Sequence, residues 1–268
     1  REPSVADLLF ASSEADAQAV RAVVERHAQV SGALVVHVDA VISAARAVDA
    51  KAATAAREAL LRWCTELMLP VLEAEEQVLH SAAAGTSEGR LLVEALLSQA
   101  AALVRLAREV GEASDLLAAA IASRALREVL EGYLAQQDSL LLPLLAAAPT
   151  VSVADLTTEL DEVISAAVPP AESAGGCGSE GHSCGCGEVD GAGHPELDAR
   201  AIPHAIRHAT IFGALDAVAV GAGLVLIAPH DPLPLLAQLA ERSNNGFAVE
   251  YLERGPEVWR LLLVRRSS

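Results

Sequence analysis

Between residues 169 and 195 the chain cannot hold a regular element, and this stretch divides what lies on either side of it. Pro169 and Pro170 stop a helix, because proline donates no backbone hydrogen bond. Gly175-Gly176-Cys177-Gly178-Ser179-Glu180-Gly181-His182-Ser183-Cys184-Gly185-Cys186-Gly187 follows. Such a run has little apolar surface to bury, so it reads as a flexible linker. Before it, apolar residues recur at helical spacing over long stretches. After it, short apolar runs alternate with short helical ones. The expected organisation is a helical domain at 1–168, a Cys/Gly-rich linker at 169–195 and a small α/β domain at 196–268, giving an α plus α/β chain.

In the first part, Ser13 followed by Asp16 resembles a capping box and opens a helix over 13–47. Val20, Val23, Val24, Leu34, Val38, Val41 and Ile42 form its apolar stripe. A second helix is expected over 54–83, kinked at Pro70. A third runs over 88–110, ended by Gly111, and a fourth over 115–145 with Pro143 near its end. A short fifth helix over 153–168 has Ser152 as N-cap. Four long helices joined by short turns predict an up-and-down four-helix bundle. Aromatic residues are only 3% of the chain, so its core must be built from Leu, Val and Ala.

In the last part the order is βαβαββ. Strands are expected at 197–200, 223–228, 247–253 and 258–265, with helices at 203–218 and 232–242. The turns are Asn244-Asn245-Gly246 and Gly255-Pro256. This predicts a small two-layer sandwich with both helices on one face of the sheet.

The formal charge of −17 argues against nucleic acid and against an anionic membrane as partners. No secretory signal is visible, and no run of roughly 18 apolar residues lacks polar interruptions. Three of the four cysteines crowd into ten residues, unlike a disulfide framework. A cytoplasmic protein is expected, and because the chain opens on Arg1, a natural start upstream is expected too.

Two segments carry a resemblance. Glu66-Leu67-Met68-Leu69-Pro70-Val71-Leu72-Glu73-Ala74-Glu75 and Tyr133-Leu134-Ala135-Gln136-Gln137-Asp138-Ser139-Leu140-Leu141-Leu142-Pro143 resemble the hemerythrin-like (HHE) cation-binding family over roughly residues 15–147. In that family the second and fourth helices each carry a His, then a carboxylate, then an aliphatic run ending in Pro. The resemblance implies a di-iron site held by inward-facing His and carboxylate side chains. Here Val71 stands at the second-helix His position, Ala100 at the third, and Tyr133 and Gln137 at the fourth-helix pair. His27 and Glu75 remain, and two ligands do not make a di-iron centre. They could instead be a hydrogen-bonded pair that Tyr133 and Gln137 complete into a buried polar network. A rebuilt mononuclear site from His27, Glu75, Glu76 and His80 is the alternative.

Leu197-Asp198-Ala199-Arg200, Arg207-His208, His230-Asp231-Pro232, Tyr251, Gly255-Pro256 and Trp259 resemble a bacterial family named domain of unknown function 2249, over residues 196–266. That family is similar in fold to the sulfur-relay carriers of the TusA/SirA-like type, which place a reactive Cys before Pro after strand one. His204 stands near that place and no Cys follows residue 186, so persulfide carriage is not expected. His204, His208, His230 and Asp231, with Arg207 beside them, are instead a candidate metal or anion site. In the bland reading, His230-Asp231-Pro232 only caps the second helix of this domain.

The linker holds Cys177, His182, Cys184 and Cys186 in a C-x4-H-x-C-x-C pattern, a third candidate metal or redox site. The expectation that emerges is an accessory or sensor protein on a degenerate hemerythrin scaffold. It would bind one Zn, Fe or Cu ion or a small ligand, and partner with a second copy or another protein. Rivals are a metal-dependent oxidase or oxygenase, and delivery of Cu or Zn through the linker.

Overall fold

The computed structural model describes residues 13–86, 88–168 and 194–267. These are helical up to Ala167, and a small mixed sheet of four strands with two helices follows.

Helix α1 (Glu14–Arg46) starts where expected: Ser13 Oγ accepts from the Asp16 amide at 3.0 Å. Val48 takes a left-handed φ of 55° and turns the chain, and Asp49 caps the next helix through the Ala52 amide. That next helical rod covers residues 50–84: α2 (Ala50–Trp63), a π turn (Cys64–Met68), α3 (Leu69–Glu75), a second π turn (Glu76–His80) and α4 (Ser81–Ala84).

The expected disturbance at Pro70 takes a specific form. Its ring crowds the carbonyl one turn back, and the helix widens just ahead of it, with the Leu69 amide donating to the Cys64 carbonyl. The same happens before Pro143. There α6 (Leu116–Gln136) passes through a π turn (Gln137–Leu141) into α7 (Leu142–Ala147), and the Leu142 amide donates to the Gln137 carbonyl.

Helix α5 (Gly89–Glu112) differs from expectation, because it runs through Gly111. Glycine permits a stop but does not impose one. The chain leaves the helix at Ala113, where ψ reaches 126°, and Asp115 caps α6 through the Ala118 amide. Helix α8 (Val153–Ala167) follows its Ser152 cap, and Asp16 of α1 accepts from the Ala154 amide to tie the two together.

Helix α1 packs on α2, α6 and α8, and α5 packs on α6 and α2, around a shared core. Leu34, Leu60, Met68, Leu79, Leu96, Leu103, Leu126 and Leu130 are fully buried there. Each such side chain contributes about 1.5–3 kcal/mol by leaving water. Tyr133 is the one fully buried aromatic side chain among the described residues.

In the C-terminal part, β1 (Glu196–Asp198), α9 (His204–Ala217), β2 (Gly223–Ala228), α10 (Leu233–Arg242), β3 (Phe247–Glu253) and β4 (Trp259–Arg265) follow the expected βαβαββ order. The sheet order is β1-β2-β4-β3, with β1 parallel to β2 and the other pairs antiparallel. Leu224 pairs with Leu263 and Leu226 with Leu261, so these leucines share one face. Leu224, Leu226 and Leu263 there meet Ile211 and Leu215 of α9 and Leu235 and Leu239 of α10. Asn244 and Asn245, with φ of 49° and 58°, make the turn into β3.

The two parts are in direct contact. Helix α9 crosses α1 at very close range, with a glycine on each helix against the other's backbone. A Cβ on Gly32 would stand 2.0 Å from the Thr210 carbonyl oxygen, and one on Gly213 2.1 Å from that of Gln29. Val35 and Val36 of α1 join the core beneath the sheet. Helix α1 is thus apolar on more than one face because it has partners on more than one face. Among the described residues it is the one helix long and apolar enough to cross a membrane, by length and composition.

Candidate functional site

Two groups of ionisable side chains stand out, and their geometries are opposite. The first lies inside the helical part. His27 on α1 is buried, with Nε2 2.9 Å from Glu75 Oε1 and Nδ1 2.5 Å from Asp138 Oδ1. Gln137 Nε2 donates to Glu75 Oε2 at 2.7 Å, and His80 Nε2 lies 3.2 Å from Gln137 Oε1. The Tyr133 hydroxyl stands 3.5 Å from the same His80 nitrogen, with the two rings edge to face.

The π turns build this cluster. Glu75 and His80 are five residues apart, which a regular α-helix would set about 140° apart around its axis. The wide turn at Glu76–His80 brings both into the interior, while Glu76 remains exposed. Gln137 and Asp138 open the other π turn, so two adjacent residues both reach the network. Asp138 is the member that periodicity misses, because a regular helix would point it away from Gln137's partners.

Burial alone would depress the His27 pKa. The Glu75 and Asp138 carboxylates outweigh it and hold the imidazolium at about 10. Burial pushes the Glu75 carboxyl up, but His27 and the Gln137 amide outweigh that and hold it below the usual range. Burial lowers the His80 pKa, so it is neutral, and burial raises the Tyr133 phenol. The Gln137 amide nitrogen faces Glu75, so its oxygen faces His80 and Nε2 of His80 carries the proton. Nδ1 of His80 is buried with no partner among the described residues.

The second group surrounds a cavity of about 310 Å³ between α9, α10 and the end of β2. His204, Arg207 and His208 come from the first turns of α9, and His230 from the loop after β2. Leu226, Ala228, Ile211 and Leu235 give it an apolar floor. No side chain caps either helix here, since Pro203 and Pro232 occupy the N-cap positions. The capping role considered for Asp231 is therefore not what the structure has. Asp231 accepts from the Tyr251 hydroxyl at 2.9 Å and does not line the cavity with the three histidines. Arg207 spends Nε and Nη2 on the Ile202 carbonyl, which positions its guanidinium at the cavity edge.

The other motif residues have structural roles. Asp198 grips the Arg200 guanidinium with both oxygens, at 2.9 and 2.8 Å. Tyr251 meets Trp259 edge to face and lies under the Arg254 guanidinium. Gly255 has φ of 28°, and a Cβ there would stand 2.7 Å from the Trp259 indole nitrogen.

Among the described residues, no group of three or more His, Cys, Asp or Glu side chains is arranged to hold a metal ion. Cys177, His182, Cys184 and Cys186 lie outside the described residues. Cys64 is a free thiol, and burial pushes it up to about 12, which keeps it protonated and unreactive.

Residues 196–265 match the sequence model of a family described as "Uncharacterized conserved protein (DUF2249)", which covers the whole four-stranded sheet and both of its helices. No curated protein and no solved structure matches this chain.

Proposed function

We propose that this chain is a ligand-binding accessory protein, in which a hemerythrin-like up-and-down four-helix bundle supports a small two-layer α/β sandwich that carries the ligand site. The observation behind this reading is the character of the C-terminal cavity. Its lining includes the Arg207 guanidinium, three imidazoles (His204, His208 and His230) and no carboxylate, in a chain whose formal charge is −17. A cavity lined by one guanidinium and three imidazoles, with no carboxylate on its lining, suits a small anion even in so acidic a protein. Its size and apolar floor suit an anion with a hydrocarbon or aromatic body, such as a carboxylate.

The interior of the bundle suits a scaffold. A di-iron centre needs free imidazole nitrogens and carboxylate oxygens. Both His27 nitrogens and both Glu75 oxygens already have partners inside the protein, and Val71, Tyr133 and Gln137 stand where the hemerythrin-like family has ligands. The donor set does not fit that group. A bundle-based oxidase would need at least three converging ligands with free donor atoms, but Glu76 is exposed and the donor atoms of His27 and Glu75 are already bonded within the protein.

A second reading rests on the three imidazoles that share the C-terminal cavity, which offer nitrogen ligands for one Zn, Fe or Cu ion. We place the protein in the cytoplasm, without nucleic acid or membrane as a partner, in line with its acidity.

Isothermal titration with benzoate, in metal-free buffer containing a chelator, tests the reading. Saturable binding is expected, weakened about tenfold each by His208→Ala and His230→Ala. Stoichiometric Zn binding lost in the same variants, with no response to benzoate, would replace the anion by the metal. Benzoate binding that ignores both substitutions would remove the site altogether.

A further inference from the structure

A larger cavity, of about 520 Å³, lies where the two parts of the molecule meet. One wall is α1 and the start of α2, and the other is formed by residues 194–195 and 217–223. Val36 and Val218 on its wall belong to the core beneath the sheet, and Ala56 packs against the helical core. The cavity is therefore bounded by two separate hydrophobic cores joined through the α1–α9 crossing.

It is open because the side chains that could fill it stop at Cβ. Ala40 and Ala44 on α1 and Ala47 just beyond its end line it together with Ala52, Ala55 and Ala59 on α2. Leucine at such positions elsewhere in the helical part closes the packing, as Leu34 and Leu60 do. A pocket of this size that opens to solvent holds water against apolar alanine surface, which a ligand with an apolar body would displace.

The polar groups facing the cavity are few. His37 is partly buried, and neither of its ring nitrogens has a hydrogen-bond partner among the described residues. Burial lowers its pKa to about 4, so the ring is neutral at physiological pH. It packs against Trp63 with ring centroids 5.5 Å apart. The His194 ring rests on Gly223, where a Cβ would come within 3.0 Å of it. Asp49, the remaining titratable group on the lining, is engaged in capping α2.

We infer that this junction cavity is a second binding site, for a neutral aromatic ligand bearing one hydrogen-bonding group such as a hydroxyl or carbonyl, with His37 as its polar contact. The alanine walls accept the ring, and the unpartnered imidazole supplies the directional contact that an otherwise apolar pocket needs for orientation. The Asp49 carboxylate disfavours an anion, which separates this site from the histidine-lined cavity at the other end of α9. It does not depend on the ligand proposed there.

The test uses 2-naphthol as the neutral probe and 2-naphthoate as its anionic counterpart of nearly the same shape, titrated against the full chain. Binding is followed by calorimetry and by energy transfer from tryptophan in a Trp259→Phe background, which leaves Trp63 as the reporter. Expected is saturable 2-naphthol binding that quenches Trp63, with 2-naphthoate at least about tenfold weaker at this site. Filling the cavity with Ala44→Leu plus Ala55→Leu should abolish it, and His37→Phe should weaken it about tenfold while keeping the ring shape. Circular dichroism melts of each variant separate lost binding from lost folding, and a cavity-filling pair that still folds melts no lower than the parent. Quenching that survives the filled cavity, equal affinity for the two probes, or no saturation up to about 1 mM would each overturn the assignment.

Discussion

His27 inside the helical part and the histidines around the C-terminal cavity are used in opposite ways. In the interior of the helices, His27 is clamped between Glu75 and Asp138, and the remaining polar atoms of Glu75 and Gln137 are satisfied in turn. Around the C-terminal cavity, His204, His208 and His230 face space with no carboxylate among them. A histidine whose hydrogen bonds and charge are already met has nothing left for a ligand. One placed among other bases, beside apolar surface, keeps its capacity. Residue type does not distinguish the two cases, and the company each side chain keeps does.

That contrast can be broken first at Glu75. Glu75→Ala would leave a buried imidazolium and an unpaired Gln137 amide, at an expected cost of about 3–5 kcal/mol in urea unfolding. Benzoate binding at the C-terminal cavity should be unchanged in whatever fraction remains folded. A loss below about 1 kcal/mol would mean that the cluster does not lock the helices.

The junction is the next place to press. Gly32→Ala would add a methyl 2.0 Å from a backbone carbonyl that cannot swing away. Overpacking of this kind costs about 1–3 kcal/mol, although alanine would gain about 1 kcal/mol over glycine by helix propensity alone. Differential scanning calorimetry should show a lower Tm. A stabilised variant would mean that α1 and α9 are not in contact in solution.

The gentlest probe is pH. His27 has its pKa raised from 6.5 to about 10, so its contribution to stability is fully present below 6.5 and is lost as pH rises through about 10. His37 is depressed to about 4, so its contribution is present above 6.5 and is lost as pH falls toward 4. Stability should therefore fall on both sides of a plateau near 6.5, with one group changing it by no more than about 1.4 kcal/mol per pH unit. Asp138→Asn removes one of the two carboxylates holding His27 and should move the alkaline limb to lower pH. An alkaline limb that stays where it was would assign the effect to another group.

Much of the architecture can be read from the residues directly. Ser13, Ser152 and Asp115 cap helices, and the βαβαββ order follows from short apolar runs and Asn-Gly and Gly-Pro punctuation. His27, Glu75, Tyr133 and Gln137 could be grouped from their positions along the helices, and the structure brings them together. His80 and Asp138 could not be assigned their partners this way. Their placement depends on π turns, which insert one extra residue into a helix and carry no sequence signature beyond a following proline, itself absent after Glu76–His80. Asp231 shows the reverse error: adjacency to His230 suggests a shared site, and one bond to Tyr251 takes it elsewhere.

The sequence by itself determined the local elements, the change of character at residue 169 and the overall acidity, because propensity, capping and charge act over a few residues or over the whole composition. Tertiary structure alone decided that α1 serves two cores, that Gly32 and Gly213 each lie against the backbone of the opposite helix, and that a cavity opens between alanine-lined helices and the sheet domain. Those features arise between segments far apart in the chain. A glycine or an alanine looks the same in sequence whether it faces water, a neighbouring backbone or an empty space.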